Sequence, residues 1–456
     1  MLSLSLVLAA ILVSFRHFSW GMELDLDDPD SLRLATALLA DGILDYYSGK
    51  DPGGTVGMFT NPYYWWQAGA AWGSILDYGF YMENNTYEGH LIEAMLAQVG
   101  ERIDYVPAEQ ATTEGNDDQA FWGMTAMAAT ERNLTNPPEG QPQWLALAQA
   151  VFNTMASRWD DSTCGGGLRW QIFKFNDGYD YKNSVSNGAL FHIASRLARY
   201  TGNNTYVEWA EKTYDWMQDV GFIADINGWH FVYDGAPVEG DCRNTSRLQW
   251  TYNHGLILSG CAYLYNYTGS DIWHERTRNF LQSAVVFFDD DEILHEAACQ
   301  GVGPDGVNTC NVDQRSFKAY FSRFLGLTAQ LVPESRTQIM SWLRASALAA
   351  ASSCSGGYDG HTCGMNWFIG HWDGVYGLGE QMAALEVFQN LRCLDRPAPY
   401  TAADGGSSIG NFAAGTTPVK YRAPPLNINR GDIGGAVIIT TIIGITIAVC
   451  VVWLVI

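Results

Sequence analysis

Three short turns in the chain are versions of one sequence element: Tyr81-Met-Glu-Asn-Asn-Thr-Tyr87, Tyr200-Thr-Gly-Asn-Asn-Thr-Tyr206 and Tyr267-Thr-Gly269. The first tyrosine of each turn follows a glycine by 12 residues, at Gly69, Gly188 and Gly255. Apolar residues recur at helical spacing before the turn, and a second helical pattern follows it. The repeated unit is therefore a helix, a short polar turn and a second helix.

Helical periodicity over the rest of the chain predicts twelve helices. They cover residues 31–48, 63–80, 87–100, 117–132, 142–158, 184–200, 204–220, 251–267, 271–288, 314–331, 335–352 and 376–391. Twelve helices in antiparallel pairs predict an all-α (α/α)6 toroid of six helical hairpins. An irregular helical bundle or an α-solenoid would use the same hairpins.

Two long connections, at residues 159–183 and 221–250, are rich in glycine and aromatic residues. Connections of this length suit loops gathered over one mouth of a toroid. Segments 168–173 and 229–233 are predicted to form short hairpin strands there.

Both ends of the chain differ in composition from the middle. An apolar run over residues 2–13 has the length of a signal-peptide core, so we expect a signal peptide at 1–21 and the toroid domain at 22–395. Gly, Pro, Ser and Thr are frequent and aromatic residues few in 396–433, which predicts a flexible stalk. Residues 434–456 carry no charge, which favours a glycosylphosphatidylinositol-anchor signal, with a retained transmembrane helix as the alternative.

Cysteines and glycosylation sequons also indicate export. Eight cysteines before the tail suit disulfides in an oxidising compartment, and Cys299–Cys310 and Cys354–Cys363 would close short loops. Cys261 lies on an apolar helical pattern and can instead be a buried thiol. The sequons are Asn84, Asn133, Asn203, Asn244 and Asn266. We therefore expect a membrane-anchored protein of the secretory pathway, at the outer face of the plasma membrane or in a cell wall.

The charge balance excludes one large class of partner. Asp and Glu number 49 against 26 Lys and Arg, a formal net charge of −23. A nucleic-acid-binding protein needs a basic surface to neutralise phosphates, so no nucleic acid is expected as a partner. The 17 Trp, 23 Tyr and 20 Phe residues supply many flat apolar surfaces instead.

The adjacent carboxylates of Asp117 and Asp118 stand at a predicted helix start, followed by apolar and aromatic residues. Two neighbouring like charges drive their protonation apart, so that one can remain ionised while the other holds a proton. Retaining glycosidases use such a pair as nucleophile and general acid. The alternative is a helix cap, because acidic residues are favoured at a helix N-terminus.

Motifs for other chemistries lack their context. Gly301–Gly306 matches a dinucleotide-binding glycine pattern but contains Pro304 and lies between two cysteines. His295-Glu296 begins like a zinc motif, with Cys299 where the second histidine belongs. The acidic run 289–292 lacks the spacing of a calcium loop. We therefore expect no metal and no cofactor.

An ordered set of motifs resembles glycoside hydrolase family 76, the endo-α-1,6-mannanases. The motifs are Trp65-Trp66-Gln67-Ala-Gly69, Gly115-Asn-Asp-Asp-Gln-Ala-Phe-Trp122, Gly165-Gly-Gly167-Leu-Arg-Trp170, Tyr181-Lys-Asn183-Ser-Val-Ser-Asn187-Gly188, Thr251-Tyr-Asn253-His-Gly255 and Trp372-Asp-Gly374. The signal-like start, the stalk and the apolar tail resemble the fungal cell-wall branch of that family. The resemblance covers about residues 30–395.

The resemblance implies a function as well as an (α/α)6 fold. It implies a mannan endo-1,6-α-mannosidase that cleaves unbranched mannan at random by a retaining mechanism, with Asp117 as nucleophile and Asp118 as general acid and base. The expected donor is α-1,6-mannan or the mannose of a glycosylphosphatidylinositol glycan, and cell-wall glucan is the expected acceptor if the enzyme is a transglycosidase. The resemblance also implies a role in fungal cell-wall biogenesis.

Two other functions fit the same residues. The chain could be a non-catalytic wall scaffold that binds mannan in the same groove. It could also be an (α/α)6 enzyme for acidic sugars, although the shortage of basic residues near the motifs disfavours an anionic substrate.

Substrate contacts are expected from aromatic and polar residues of these motifs. Sugar rings stack on aromatic faces, and amides bind hydroxyl groups. The predicted substrate-binding residues are Trp66, Asn116, Trp122, Arg169, Trp170, Asn183, Asn187, Tyr252, Asn253 and Asp373. Further aromatic candidates are Tyr64, Trp65, Trp250 and Trp367. Each aromatic residue could instead belong to the core, and each asparagine could cap a helix.

Overall fold

The computed structural model describes residues 21–110, 112–417 and 430–455. The chain divides after residue 419 into two units, which are treated separately. Apart from Gly21, the predicted signal peptide lies outside the described residues.

Twelve α-helices in the described part of the first unit alternate between two layers. The outer helices are α1 Pro29–Leu44, α3 Glu88–Ala97, α5 Trp144–Ala156, α7 Asn204–Asp219, α9 Asp271–Ser283 and α11 Arg336–Ser353. The inner helices are α2 Trp65–Met82, α4 Asn116–Glu131, α6 Ser184–Thr201, α8 Thr251–Thr268, α10 Phe317–Leu331 and α12 Leu378–Gln389. All twelve predicted helices are thereby confirmed.

The inner helices form a closed ring. Each packs on the next, from α2 through α4, α6, α8 and α10 to α12, and α12 packs back on α2. On α4, every residue except Asp117 and Asp118 is buried, as expected for a helix enclosed on all sides. The closed ring confirms the (α/α)6 toroid and distinguishes it from an open solenoid.

The two ends of the ring differ in chemistry. One cavity is lined by residues at or near the N-terminal ends of α2, α4, α8 and α10. The positive ends of these helix dipoles therefore meet there. Further along the inner helices, buried ion pairs join neighbours: Glu131 to Arg196 at 2.6 Å and Arg323 to Glu386 at 2.5 Å. The first end, which we call the mouth, is therefore suited to hold negative charge.

Short antiparallel strands lie in the connections between helices. They are β1 Tyr181–Asn183, β2 Ile223–Ile226, β3 Trp229–Val232, β4 Gly235–Pro237, β5 Cys354–Gly356 and β6 Thr362–Cys363, paired β1 with β4, β2 with β3 and β5 with β6. The strand expected at 229–233 is confirmed as β3.

The strand predicted at 168–173 is absent from the structure, which has only single bridges there, from Arg169 to Lys182 and from Gly115 to Gln171. The preceding glycines at 165–167 all have positive φ, which curls the chain before a ladder can extend. A Cβ atom on Gly167 would lie 2.3 Å from the Trp216 ring, so this loop has room only for glycine.

Three disulfides join cysteines of the described chain. Cys299–Cys310 and Cys354–Cys363 confirm the two predicted loops. The third, Cys164–Cys242, spans 78 residues and ties together the two long connections at the mouth. Cys261 is a buried free thiol, as its helical position indicated, and Cys393 is another.

Residues 396–417, the first part of the predicted stalk, pack against the toroid; we call them the C-terminal strap. Asn133 Nδ2 donates to the Gly405 carbonyl at 2.7 Å, and Asn153 Nδ2 donates to the Phe412 carbonyl at 2.8 Å. Because side chains of the body satisfy the polar backbone of the strap, the packed body extends to residue 417 rather than 395.

Removing the strap should destabilise the toroid. We expect a chain ending at residue 395 to melt about 5 °C or more below one ending at residue 417, because several hydrogen bonds and the apolar contacts beneath them are lost. Thermal unfolding of the two chains, purified in parallel, measures the difference. Equal melting temperatures would contradict a packed strap.

The second unit contains one helix in its described part, α13 Arg430–Val455. Its segment Ile433–Trp453 has 21 residues and a mean hydropathy of 2.6. By length and composition this helix could cross a membrane.

Candidate active site

A groove crosses the mouth of the ring. It consists of two adjoining cavities, of about 370 and 230 Å³, which share Trp66, Asp118, Trp170, Gln171 and Asp313. The larger cavity, the Tyr64 half, is also lined by Tyr64, Trp65, Gln110, Thr113 and Glu114. The smaller cavity, the Tyr252 half, is also lined by Asp117, Phe121, Asp234, Trp250, Tyr252, Asn311, Gln314 and Phe317.

The two predicted catalytic carboxylates lie in this groove, in the first turn of α4. Asp118 Oδ2 accepts a hydrogen bond of 2.6 Å from the Gly115 amide, and Asp118 lines both halves. It thus caps the helix and faces the groove at the same time, which unites the two interpretations of the sequence. Asp117 lines the Tyr252 half only.

The two oxygens of Asp117 have different surroundings. Trp170 Nε1 donates to Oδ2 at 3.0 Å, whereas Oδ1 has no hydrogen-bond partner among the described residues. A Cβ atom on Gly115 would lie 2.4 Å from Oδ1. The glycine before the pair therefore leaves space for an oxygen that is free to react.

Burial and mutual repulsion change the protonation of the pair. Burial, followed by the charge of Asp118, raises the pKa of Asp117 well above its ordinary range. Burial raises the pKa of Asp118 to about 6; the Gly115 hydrogen bond opposes this shift, and the charge of Asp313 adds to it. At neutral pH the pair therefore holds one proton, which belongs to the two carboxyls together.

Two further carboxylates, which the sequence analysis did not predict, face the groove. Asp313 lines both halves, burial raises its pKa to about 6, and its Oδ1 has no hydrogen-bond partner in the described chain. Asp234 accepts hydrogen bonds from the Tyr181 hydroxyl at 2.6 Å and from Trp250 Nε1 at 3.0 Å. Asp313 shortly precedes inner helix α10, and this place before an inner helix is the sequence signal that it shares with Asp117 and Asp118.

Buried Glu114 also contributes to this charge environment. Burial, followed by the charge of Asp118, raises its pKa well above the ordinary range, and neither carboxyl oxygen has a hydrogen-bond partner among the residues described. A protonated Glu114 next to Asp118 adds no negative charge to the groove.

Several predicted aromatic contacts line the groove. Trp66 and Trp170 belong to both halves, and 37% of the surface of Trp170 is exposed. Tyr252 stacks on Phe317 with the ring centroids 3.8 Å apart, which fixes a flat wall beside Asp117. Flat aromatic walls beside carboxylates are suited to a neutral sugar chain.

Trp122 is a core residue instead. It is fully buried between Trp65 and Tyr105, with ring centroids 5.3 and 5.4 Å away. A Cβ atom on Gly69 would lie 2.7 Å from its ring, so close packing of α4 on α2 holds it there. Trp367, beneath the Lys318 ammonium at 3.7 Å, is likewise buried.

The predicted asparagines Asn116, Asn183 and Asn187 hold loops and helix ends rather than lining the groove. Asn116 Nδ2 donates to the Arg169 carbonyl at 2.8 Å. Asn183 caps α6, and Asn187 accepts from the Leu168 amide at 2.7 Å. Together they position the loop that brings Trp170 to Asp117.

Arg169 is directed to acidic partners outside the groove lining. Its guanidinium pairs with Asp160 at 3.0 Å and Asp180 at 3.1 Å, and lies over the Tyr179 ring. These partners anchor the loop before Trp170.

Asp373 and Asn253 are also absent from the groove lining. Asp373 accepts from the backbone amides of Asn366 at 2.8 Å and Val375 at 3.0 Å, which closes a loop. Asn253 is buried on α8, and its amide atoms have no hydrogen-bond partner within the described residues.

The five sequon asparagines differ in exposure. Asn244 and Asn266 are exposed, and Asn203 caps α7. Asn84 and Asn133 line one cavity away from the mouth.

Comparisons with known proteins agree on one family. Residues 31–403 match the model of Glycosyl hydrolase family 76. The chain is 64% identical over 440 residues to the mannan endo-1,6-alpha-mannosidase DCW1 of Saccharomyces cerevisiae, covering 96% of each chain. It is 52% identical over 434 residues to the mannan endo-1,6-alpha-mannosidase DFG5 of the same yeast, covering 94% of this chain and 93% of that one.

Solved structures share the fold. Dfg5 from Chaetomium thermophilum in complex with glucosamine is 39% identical, with a TM-score of 0.81 over 86% of this chain and 97% of that chain. The GH76A α-1,6-mannanase of Salegentibacter is 18% identical, with a TM-score of 0.63 over 80% of this chain and 99% of that one. The second likeness supports the (α/α)6 fold alone.

Proposed function

The chain belongs to glycosyl hydrolase family 76, and we propose that it is a mannan endo-1,6-α-mannosidase in which Asp117 and Asp118 react with the substrate. The observation that carries the proposal is this carboxylate pair, which lies at the positive ends of the inner helices in an aromatic groove. The DCW1 and DFG5 relatives, named for the same activity, support it.

Asp117 and Asp118 act in two steps. Asp117 Oδ1 attacks the anomeric carbon while Asp118 donates a proton to the glycosidic oxygen; the C–O bond to the leaving sugar breaks, and a mannosyl ester of Asp117 forms. In the second step Asp118 removes a proton from water, whose oxygen attacks the anomeric carbon and releases Asp117. The configuration of the sugar is retained after two inversions.

The shared proton must be on Asp118 at the first step. In the free protein, burial raises the pKa of both carboxyls, and the single proton belongs to the pair. We propose that a glycosidic oxygen next to Asp118 draws the proton there. The hydrogen bond from Trp170 Nε1 then stabilises the ionised Asp117.

The two halves of the groove support one direction for the substrate. Asp117 lines only the Tyr252 half, so the mannose that forms the ester lies there, whereas Asp118 borders both halves as a group at the cleavage point does. The leaving sugar then occupies the Tyr64 half. Since sugar units have room on both sides of Asp118, cleavage is internal.

The Tyr64 half is also where an acceptor would bind. We propose that a sugar hydroxyl in that half can replace water in the second step, which makes the enzyme a transglycosidase. A glycosylphosphatidylinositol-glycan mannose as donor and cell-wall glucan as acceptor fit this scheme. The apolar segment of α13 fits an exported protein that is held at the outer face of a membrane, with residues 1–21 as signal peptide.

Digestion of defined polysaccharides tests the function. We expect unbranched α-1,6-mannan to be shortened at random, and α-1,2-linked mannan and β-1,3-glucan to remain intact when offered alone. Adding a glucan oligosaccharide to the mannan digest tests for transfer products. Binding to α-1,6-mannan without any shortening would instead favour the scaffold alternative.

Asp313 should set the pH range of catalysis. The reaction needs one proton on the pair, so activity rises with pH as the doubly protonated pair loses its first proton, near the pKa of Asp118 of about 6 in the free protein. The charge of Asp313 raises that pKa. We expect Asp313→Asn to shift the acidic limb of kcat/KM to lower pH. A pH profile unchanged from the parent would contradict this coupling.

A further inference from the structure

A second cavity, of about 320 Å³, lies where α2 and α4 end, and we call it the base cavity. The mouth groove lies at the opposite ends of the same two helices, so the base cavity is separate from it. Its wall includes the α2–α3 turn at 83–87, the residues 132–135 after α4, and Arg396 at the start of the C-terminal strap.

The base cavity presents an aromatic ring and two neutralised cations. The guanidiniums of Arg132 and Arg396 lie 4.8 and 4.9 Å from the Phe80 ring centroid. Arg132 pairs with Asp77 at 2.6 Å, and Arg396 pairs with Glu83. Since acidic partners already balance both charges, the cavity is better suited to a neutral polar ligand than to an anion.

Much of the cavity wall is apolar and consists of Ile75, Leu76, Phe80, Leu91 and Leu134. The apolar face of an N-acetylated sugar suits such a wall, while its hydroxyl groups can remain in solvent.

The sequon residue Asn84 stands on the wall of this cavity. Its Oδ1 accepts from the Thr86 amide at 3.0 Å, and its Nδ2 donates to the Tyr78 hydroxyl at 2.7 Å. Glycosylation replaces only one of the two hydrogens on Nδ2, so this hydrogen bond can persist in the glycosylated protein.

The other sequon on the wall has a different role. Asn133 Nδ2 donates to the Gly405 carbonyl, and Asn133 Oδ1 accepts from the Ser407 amide at 3.0 Å. Asn133 thus joins the toroid to the strap, whereas the amide of Asn84 contacts only Tyr78 and Thr86 of its own hairpin among the described residues, so the proposal concerns Asn84.

We propose that Asn84 is N-glycosylated and that the innermost N-acetylglucosamine of this glycan occupies the base cavity. In the attachment step, a diphosphate-linked oligosaccharide loses its bond from C1 to the phosphate oxygen, and C1 binds Nδ2, which gives up one proton. The sugar then contacts the α2–α3 turn, the end of α4 and Arg396. The glycan acts as a structural ligand that joins the strap to the toroid.

Resistance to an endoglycosidase tests the proposal. The protein is produced in a host that adds N-glycans, and an enzyme that cleaves between the two innermost N-acetylglucosamines is applied to native and denatured samples. Mass spectrometry of glycopeptides follows each site. We expect release at Asn84 to be slower by about tenfold or more in the native protein, because cleavage there awaits local opening. At the exposed sites Asn244 and Asn266, the rates of glycan release from native and denatured protein should differ much less.

A pair of variants provides the second measurement. Asn84→Gln should lower the melting temperature of the glycosylated protein, whereas Asn244→Gln, at an exposed site, should not. When the parent and the Asn84→Gln variant come from a host without N-glycosylation, the loss should be smaller, because only the hydrogen bonds of Asn84 to Thr86 and Tyr78 then change. An unoccupied Asn84, or an Asn84 glycan released equally fast from native and denatured protein, would overturn the proposal.

Discussion

Asp117→Asn is expected to lower kcat on unbranched α-1,6-mannan by at least about 10⁴-fold, because an amide cannot form the mannosyl ester. Asparagine has nearly the same shape, and its carbonyl oxygen can still accept from Trp170 Nε1, the partner of Asp117 Oδ2. The groove and the affinity for mannan should therefore persist. Initial rates, mannan binding and thermal unfolding of the same preparation separate chemistry from folding.

Asp305→Asn is a matched control for Asp117→Asn. It removes one carboxylate from an exposed loop and leaves the mouth groove unchanged. Parental activity in this control, with loss in Asp117→Asn, attributes the effect to position rather than to net charge. An Asp117→Asn protein with a tenth or more of the parental rate would contradict its role as nucleophile.

The second large effect is expected for Asp118→Asn, which removes the general acid and base. The rate on mannan should fall about 10²–10⁴-fold. On an aryl mannoside whose phenol leaves without a proton, the rate of the first step should fall much less. Asparagine can still accept from the Gly115 amide, which preserves the helix cap.

A small anion distinguishes this role of Asp118 from a structural one. Azide needs no base, so it should attack the mannosyl ester, restore turnover of the aryl mannoside and yield a mannosyl azide of α configuration. The same azide should not rescue Asp117→Asn, which forms no ester. Equal losses on both substrates, without azide rescue, would contradict the assignment of Asp118.

The fold could be predicted because its signal is local and repeated. Each turn such as 81–87 lies between two helices of one hairpin, so spacing alone indicates the pairing. The number of hairpins fits a ring, but the contact of α12 with α2 that closes it is a finding of the structure. The pairing of Cys164 with Cys242 joins two loops through cysteines that are 78 residues apart, and no local spacing indicates it.

The strap shows the limit of composition as evidence. Glycine, proline, serine and threonine are frequent in flexible linkers, and 396–417 has many of them. Its fixed position depends on partners elsewhere, such as Asn133 and Asn153, which donate to its carbonyl groups. Composition describes the segment alone and contains no information about those partners.

The two central carboxylates of the site were predictable from the sequence, whereas many of the residues around them were not. Asp117 and Asp118 stand together in sequence, whereas Asp234 and Asp313 come from distant segments and meet the pair only through the ring. The family motifs also mix groove residues with supporting ones. Asn116 and Trp122 belong to the same motif as the carboxylates, but one holds a loop and the other fills the core.

The configuration of the first product is the most direct test of the central claim, that Asp117 and Asp118 cleave α-1,6-mannan through a covalent intermediate. Proton NMR of an α-1,6-mannan oligosaccharide digest can record the new reducing end before it mutarotates. The account predicts that the α anomer appears first and that the β anomer grows in later at the spontaneous rate. Initial release of the β anomer would show a single displacement and contradict the account.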